Sequence, residues 1–359
     1  MRTICFGIIL FMSLLLSLPH SAASSDSEPD SYSASELLVF SAAKGAKSKA
    51  QELLEQGVNP NVTVFEKNVT PLFAAASYGH LEVANLLLSN GADVNLEVGK
   101  NTPLFAAAAN GNPQVANLLI THGADIHNKR IEVSPLVIAL RRNHEEVVRT
   151  FINHEGVLDY RYDDGKTYLH VAVSQGGSVD IVNLLIEEGV DVDAQSETVG
   201  TALHIAAGKG RKALIKPLID HGASVDEREP KRGYTPLLLA LGKKNPDTAK
   251  ALIDNGANAN ARGNKKPALW IAASLGYPDV VNSLLANGAD PNARDGQTNS
   301  TPLMVAVSEN NRESAKLLLS SGADVNATLP SGLSAHDIAE KTGHEELKDM
   351  LEDAEAGGL

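Results

Sequence analysis

The residues of this chain that could bind a metal or transfer protons are its 11 histidines, spread over 359 residues. His122 and His127 flank a predicted turn, whereas His170 and His204 each end a Thr-x-Leu-His segment. No two histidines have the His-x-x-x-His spacing that places both rings on one helical turn beside an acid. We therefore predict no metal site, and we interpret His170 and His204 as hydrogen-bonded within their own turns.

Motifs for nucleophilic and phosphate chemistry are missing from the sequence as well. No Gly-x-Ser-x-Gly elbow presents a serine, and no Gly-x-x-x-x-Gly-Lys-Ser/Thr loop could hold a phosphate. The single cysteine excludes an intramolecular disulfide and a cysteine-rich zinc site. The sequence therefore predicts a protein that is not an enzyme and that uses no cofactor.

The spacing of the glycines shows which elements make up the chain. Nine glycines recur at intervals of 32 to 34 residues, each directly after an apolar helical segment. Such a period predicts a stack of structural repeats, and a glycine in this place favours a left-handed helix end. A short extended element is expected after each glycine, as at 92–95 and 323–326. The glycines are Gly57, Gly91, Gly123, Gly156, Gly189, Gly222, Gly256, Gly288 and Gly322.

Each repeat also carries a signal for the start of a helix. In Thr70-Pro71-Leu72, for example, the threonine can cap the first amides, while proline at the first helical position leaves no amide unsatisfied. Alanine runs at 74–76 and 106–109 allow close packing of helices and account for an aromatic content of only 4%. The repeats are predicted to start at Thr70, Thr102, Ser134, Thr167, Thr201, Thr235, Pro267 and Thr301.

These motifs resemble those of the ankyrin-repeat family. The family's Thr-Pro-Leu-His start, paired alanines, inter-helix glycine and Gly-Ala-Asp-Val-Asn ending are matched by 201–210 and 91–95. The resemblance covers about 35–353 and implies an all-α repeat solenoid of about ten stacked helix-turn-helix repeats with β-hairpin loops. It implies caps at about 35–61 and 333–353, internal repeats over about 68–327, and a tail at 354–359.

Several positions depart from the family pattern. Asn143, Lys244 and Asn310 replace the inter-helix glycine, and we expect a positive φ at each, with some strain at Lys244. Gly177 adds one residue to the turn of the fifth unit, and Pro267 replaces a capping threonine. These irregularities could mark where the stack bends or opens, but we interpret them as sequence drift in an exported protein.

The first residues are predicted to be a targeting signal. Arg2 precedes an apolar stretch at 4–18, and small residues follow, with cleavage expected after Ala23. An uncleaved membrane anchor would need about 20 apolar residues. We predict a signal peptide at 1–23, a disordered linker at 24–34, and an exported product, periplasmic or secreted, that has lost Cys5. Glycosylation sequons, meaningful only in a eukaryotic secretory route, begin at Asn61, Asn68, Asn299 and Asn326.

Charge is distributed unevenly along this acidic chain. The net charge of -13 argues against nucleic acid as a partner. Residues 128–268 contain 20 Lys and Arg against 19 Asp and Glu, whereas the flanks contain 11 against 25. Acids of this central segment lie on second helices, which predicts an acidic back. Its cations lie on predicted hairpin tips and first-helix ends, where the resemblance implies a binding face: Lys129, Arg130, Arg141, Arg142, Arg161, Lys209, Arg228, Lys231, Arg232, Lys243, Arg262, Lys265 and Lys266.

The sequence thus predicts a monomeric protein-interaction scaffold that docks a partner with an acidic surface through its central repeats. Two alternatives remain open: binding of an anionic envelope polymer through the same residues, and a supportive role beside an envelope enzyme. Exposed loops also carry charge without any binding function, and acids such as Glu227 and Glu229 dilute the basic stripe. No further apolar segment follows the signal, so no membrane span is expected in the mature chain.

Overall fold

The structure, a computed structural model, describes residues 32–64, 68–127, 134–154 and 157–356. In these ranges the chain forms 20 helices in ten helix-turn-helix pairs and one two-stranded sheet. It divides into two compact units between Val157 and Leu158. The predicted signal peptide, the linker up to residue 31, and Gly156 lie outside the described residues.

The first unit contains four helix pairs. Each first helix packs against the first helix of the next pair, and each second helix packs likewise. The helices are α1 (Ala34–Lys44), α2 (Lys47–Glu55), α3 (Pro71–Tyr78), α4 (Leu81–Ser89), α5 (Pro103–Asn110), α6 (Pro113–Thr121), α7 (Pro135–Arg142) and α8 (Glu145–Ile152).

The second unit contains six pairs stacked in the same way. Its elements are α9 (Tyr168–Gln175), α10 (Val179–Glu187), α11 (Ala202–Gly208), α12 (Lys212–Asp220), α13 (Pro236–Gly242), α14 (Pro246–Asp254), β1 (Arg262–Gly263), β2 (Lys266–Pro267), α15 (Ala268–Leu275), α16 (Pro278–Ala286), α17 (Pro302–Ser308), α18 (Arg312–Ser320), α19 (Ala335–Thr342) and α20 (Glu345–Glu355).

The helix starts follow the predicted capping chemistry. The Thr70 hydroxyl accepts a hydrogen bond from the amide of Phe73 at 3.2 Å, and Thr102 does the same for Phe105. Pro71 occupies the first helical position after Thr70, where no amide is needed. Pro267, by contrast, gives α15 no side-chain cap, as its sequence predicted.

The helix ends and turns confirm the predicted left-handed residues. The eight recurring glycines that the structure describes have φ between 82° and 97°. Asn143, Lys244 and Asn310, which replace the inter-helix glycine, adopt φ of 57°, 60° and 57°. The turn of the fifth pair is one residue longer and is closed by a hydrogen bond from the Gly177 amide to the Ala172 carbonyl at 2.8 Å.

The predicted extended elements are largely wrong. Residues 92–95 form a turn, in which the Asp93 carboxylate accepts the Asn95 amide at 2.9 Å. An aspartate that binds the amide two residues ahead closes the chain locally, which competes with strand pairing. Instead of longer hairpins, the loops contain single bridges such as Val64 with Val69, and β1 pairs with β2 over two residues only.

Side chains also connect successive turns. Asn61 donates to the Gly91 carbonyl at 2.9 Å and accepts the Asp93 amide at 2.7 Å, so one amide side chain bridges two repeats. Asn260 makes the equivalent pair of bonds to Gly288 and Asp290 in the second unit. Because these turns are bonded to the turns of the next repeat, their loops are held in register with the neighbouring loops.

The core of each stack is built from alanine and leucine. Leu72, Ala75 and Ala76 on α3 and Leu104 on α5 are at most 1% exposed. Small side chains let the helices approach closely, so apolar burial is spread over many thin layers. No helix in the described part of the chain is long and apolar enough to cross a membrane.

Candidate functional site

An open groove of about 720 Å³ lies in the second unit, along the first helices α9, α11 and α13. Its floor includes Val171, Ile205 and Leu239, one residue from each of the three helices. The loops that precede α9, α11 and α13 form a wall of the groove beside this floor. The groove therefore runs across three consecutive repeats.

Helical periodicity explains which side chains line this groove. On α11, Gly208 follows Ile205 by three residues, and Lys209, directly after the helix, follows it by four, which brings both toward the face of Ile205. The opposite face, including Leu203 and Ala206, is fully buried in the stack. The same register on α13 brings Leu239 and Lys243 to the groove.

His170 and His204 hold the groove wall in place. The Nδ1 atom of His204 accepts the Thr201 amide at 3.2 Å, and its Nε2 donates to the Tyr234 carbonyl in the next loop at 3.1 Å. His170 makes the corresponding bonds to Thr167 at 3.1 Å and to Gly200 at 2.9 Å. The predicted hydrogen bonding within the turn is confirmed, whereas the second bond, to the next loop, was not predicted.

Both rings are neutral in this arrangement, since Nδ1 must be free of a proton to accept. Burial lowers the pKa of His170 and of His204, because the charged ring would lose its hydration. The two side chains are only 1% exposed, and both nitrogens of each ring are occupied. They therefore serve as struts between successive loops.

Several of the predicted cations are used by the fold itself. Arg142 and Lys209 occupy the same position at the end of a first helix, and each reaches a carbonyl of the preceding pair. The Arg142 guanidinium donates to Ala109, and the Lys209 ammonium donates to Ser174 at 2.9 Å. These two side chains lock adjacent repeats together, a role that the sequence did not predict.

Three more cations of the loops are also engaged within the chain. The Arg228 guanidinium donates to the Gly233 carbonyl at 2.7 Å, and Arg262 donates to the Lys265 carbonyl at 3.1 Å. The Lys266 ammonium lies 4.0 Å from the ring centroid of Trp270, a cation–π contact. These contacts make the loops rigid and leave fewer cations for a partner.

Lys231, Arg232 and Lys243 are different, because their side chains make no ion pair or hydrogen bond with the described residues. All three are exposed and line the groove together with Lys209. The groove therefore collects four of the predicted residues. Lys166 also lines the groove, directly before the capping Thr167, and was not among the predicted residues.

The other predicted residues lie elsewhere. Arg141 is exposed on α7 in the first unit, and Arg161 and Lys265 are exposed on loops of the second unit outside the groove lining. Lys129 and Arg130 lie outside the described residues. Nothing in the structure tests whether any of the predicted residues contacts a partner.

Glu229 is the one acid of the groove lining, and Asp164 lies beside the lining residues Lys166 and Thr198. The buried Glu229 carboxylate accepts the amides of Lys231 and Arg232 at 2.7 Å each. The Asp164 carboxylate is 2.6 Å from the Lys166 ammonium and accepts the Thr198 hydroxyl at 2.7 Å. Hydrogen bonds from Lys166 and Thr198 lower the pKa of Asp164 to about 2. The lining carries five cations, Lys166, Lys209, Lys231, Arg232 and Lys243, against the single acid Glu229, so the net charge of the groove is positive.

Two of the predicted acids on second helices are paired with cations on the same helix. Lys216 lies 2.6 Å from Asp220 on α12, and Lys250 lies 2.6 Å from Asp254 on α14. These pairs are four residues apart, a spacing that brings side chains together on a helix surface. The predicted acids are on second helices, but these pairings weaken their negative charge.

The described residues contain no group of three or more His, Cys, Asp or Glu side chains that could hold a metal ion. The groove instead presents ammonium and guanidinium groups around a partly apolar floor. Such a lining can attract carboxylates electrostatically and can bury apolar side chains beside them. It offers no nucleophile next to a free base.

Comparison with known proteins shows the family. The family model for ankyrin repeats in three copies matches residues 37–130, 104–196, 192–263 and 262–329. The human ASB11 ankyrin repeat domain, a crystal structure, matches with a TM-score of 0.51 and 32% sequence identity. That match covers 61% of this chain and 97% of the other. No curated protein matches the chain. The chain belongs to the ankyrin-repeat family, whose repeats are generally protein-interaction modules.

Proposed function

We propose that this protein is an exported, non-catalytic ankyrin-repeat domain that binds an acidic segment of a partner protein in the groove along α9, α11 and α13. The observation that carries the proposal is a set of three exposed cations, Lys231, Arg232 and Lys243, whose side chains have no partner among the described residues. They lie around a groove whose nearby acids, Glu229 and Asp164, are already hydrogen-bonded or ion-paired within the fold. Complementary charge then favours a carboxylate-rich partner. The protein acts as a monomer in this proposal.

A protein partner is favoured over an anionic polymer because part of the groove is apolar. Val171 and Leu239 are half-buried at its floor and can pack against apolar side chains of a polypeptide. A polysaccharide would use the cations but would gain little from these residues. Protein binding is also the general function of ankyrin repeats.

The experiment reverses the three unpartnered charges in the variant Lys231→Glu, Arg232→Glu and Lys243→Glu. A photoreactive residue replaces Gln175, which is exposed in the groove lining. Crosslinking in intact cells, followed by mass spectrometry, is expected to identify a partner protein bound to the parent chain, which carries the photoreactive residue without the charge reversals. The triple variant should lose that product, because each like-charge contact opposes binding and a weakening of about tenfold or more is expected.

The control variant carries the same charge change on second helices, at Lys212→Glu, Lys216→Glu and Lys316→Glu. Lys212 and Lys216 lie in exposed ion pairs, so their loss should affect stability little. This variant should crosslink the same protein as the parent. A crosslink that survives reversal of the groove charges would contradict the proposal.

Heparin provides the probe for the polymer alternative. Salt-dependent retention on immobilised heparin that disappears in the groove variant, together with no crosslinked protein, would replace a protein partner with an anionic polymer. Equal behaviour of groove and control variants on heparin would remove that alternative.

A further inference from the structure

Two glycines occupy an unusual place in the groove region. Gly208 on α11 and Gly242 on α13 are the seventh residues of their helices, and each directly precedes a lysine of the groove. Glycine is a poorer helix former than alanine, and both glycines are the last residues of their helices. Two successive repeats therefore carry a poor helix former at the same position.

The fold itself does not require either glycine. Neither Gly208 nor Gly242 has a positive φ, and a Cβ atom added to either would meet no atom within 4 Å. Gly210 shows what a structural requirement looks like, since its φ is 69° and its Cβ would lie 2.9 Å from the Asn245 Oδ1 atom. Backbone conformation and internal packing therefore leave Gly208 and Gly242 unexplained.

The equivalent positions of the other first helices carry other residues, including Ser174 on α9, which also lines the groove. Ser77 on α3, Ser274 on α15 and Ser308 on α17 occupy the seventh or equivalent helical position there. Glycine appears at this position only where it stands beside Lys209 and Lys243. Gly208 lines the groove, and Gly242 is exposed on the same face of the next first helix.

We propose that the groove holds the partner's acidic segment in an extended conformation, with its main chain passing directly over Gly208 and Gly242. This inference rests on the proposed function and specifies its ligand. A missing Cβ lets another backbone approach closely. A bound helix would present side chains rather than main chain to the groove floor and would gain little from the glycines.

The repeat spacing sets the pattern of acids in that segment. Packed helices are about 8–10 Å apart, and an extended chain advances about 3.3 Å per residue. One repeat therefore corresponds to about three residues of the ligand. Lys209 and Lys243 occupy equivalent positions one repeat apart, with Lys231 and Arg232 on the facing loop. Acidic side chains at every third residue of the segment would face successive cations.

The experiment uses two fluorescein-labelled peptides of about ten residues that have the same composition. One carries glutamate at every third position among serines and alanines, and the other carries its glutamates in one block. Fluorescence anisotropy at low salt measures the dissociation constants with the full-length protein. The spaced peptide should bind the parent at least about fivefold more tightly, since only its carboxylates match the repeat spacing.

The critical variant is Gly208→Leu with Gly242→Leu, and its matched control is Ser308→Leu at the same helical position outside the groove. The double variant should weaken binding of the spaced peptide at least about tenfold, because the leucines occupy the space of the ligand backbone. The control should bind as the parent does. The milder variant Gly208→Ala with Gly242→Ala should raise the urea midpoint and still weaken binding, which separates a ligand role from a folding defect.

The outcomes distinguish this inference from the proposed function. Equal binding of both peptides, or unchanged binding by the leucine variant, would overturn the extended arrangement over the glycines. Failure of both peptides to bind would overturn it as well. The proposed function would survive each of these results if reversal of Lys231, Arg232 and Lys243 still abolished crosslinking of the partner.

Discussion

At the level of single residues, the two buried histidines of the Thr-x-Leu-His motif connect their own turns to the loop of the next repeat. His204 accepts a bond from the turn that starts α11 and donates to the Tyr234 carbonyl of the following loop. The local bond follows from the Thr-x-Leu-His spacing. The bond to the next loop exists only because repeats stack, and it holds the groove wall against the helices.

This arrangement predicts a pH dependence of stability. Burial lowers the pKa of His170 and His204 below the ordinary value of 6.5, so the unfolded chain binds protons that the folded chain does not. The contribution of these histidines to the free energy of unfolding is complete above pH 6.5 and is lost as the pH falls toward the folded-state pKa. For each histidine, the free energy of unfolding changes by at most about 1.4 kcal/mol per pH unit.

Urea unfolding at pH 7 and pH 5 tests this prediction. The parent should lose stability between the two values. The variant His170→Asn with His204→Asn should be less stable at pH 7, by about 1–3 kcal/mol for each lost set of bonds, and should show a smaller change with pH. Equal pH changes in parent and variant would exclude these two residues as the source.

At the level of helices and turns, the residue in the turn between two helices is matched to a side chain of the following pair. Where this turn carries Gly79 or Gly210, an asparagine of the following pair reaches back to carbonyls of the preceding one. Asn245, for example, donates to Ala207 at 3.0 Å. The turn after α13 carries Lys244 instead, and Tyr277 occupies the place of the reaching asparagine.

Lys244 is therefore the position in an inter-helix turn at which a substitution is expected to stabilise the protein. At a φ of 60°, a residue with a side chain is less stable by about 1–2 kcal/mol. Glycine adopts this φ freely but loses more backbone entropy on folding. We expect Lys244→Gly to stabilise the protein by about 0.5–1 kcal/mol in urea unfolding. The opposite change, Gly210→Ala, should destabilise it, because its Cβ would clash with Asn245. A destabilised Lys244→Gly variant would show that the lysine makes contacts that outweigh the strain.

At the scale of the whole molecule, the central question is where the protein works. We propose that residues 1–23 direct export and are then removed. Expression in the native host should yield a mature chain that begins at Ser24 and lacks Cys5, because cleavage is expected after the small residues that end at Ala23.

Mass spectrometry of the N-terminal peptide after cell fractionation tests this prediction. A matched control changes Ala23 to a bulky charged residue, which should leave the signal attached. An intact N-terminus on protein recovered from the cytoplasm would contradict export. It would leave the groove and its charges unaffected, so the compartment and the binding proposal can fail independently.

The repeat period, the helix starts and ends, the family and the two histidine turns follow from the sequence. The helix starts, helix ends and histidine turns depend on interactions within about ten residues, such as the Thr70 cap and the left-handed turn at Lys244. The prediction of an extended element at 92–95 failed because a local aspartate turn competes with strand pairing. Only the stacked structure shows which cations have partners. Arg142 and Lys209 reach carbonyls more than 30 residues away, whereas Lys231, Arg232 and Lys243 make no hydrogen bond or ion pair with the described residues. Only stacking brings those distant carbonyls within reach, so the proposed binding face depends on contacts that no single repeat contains.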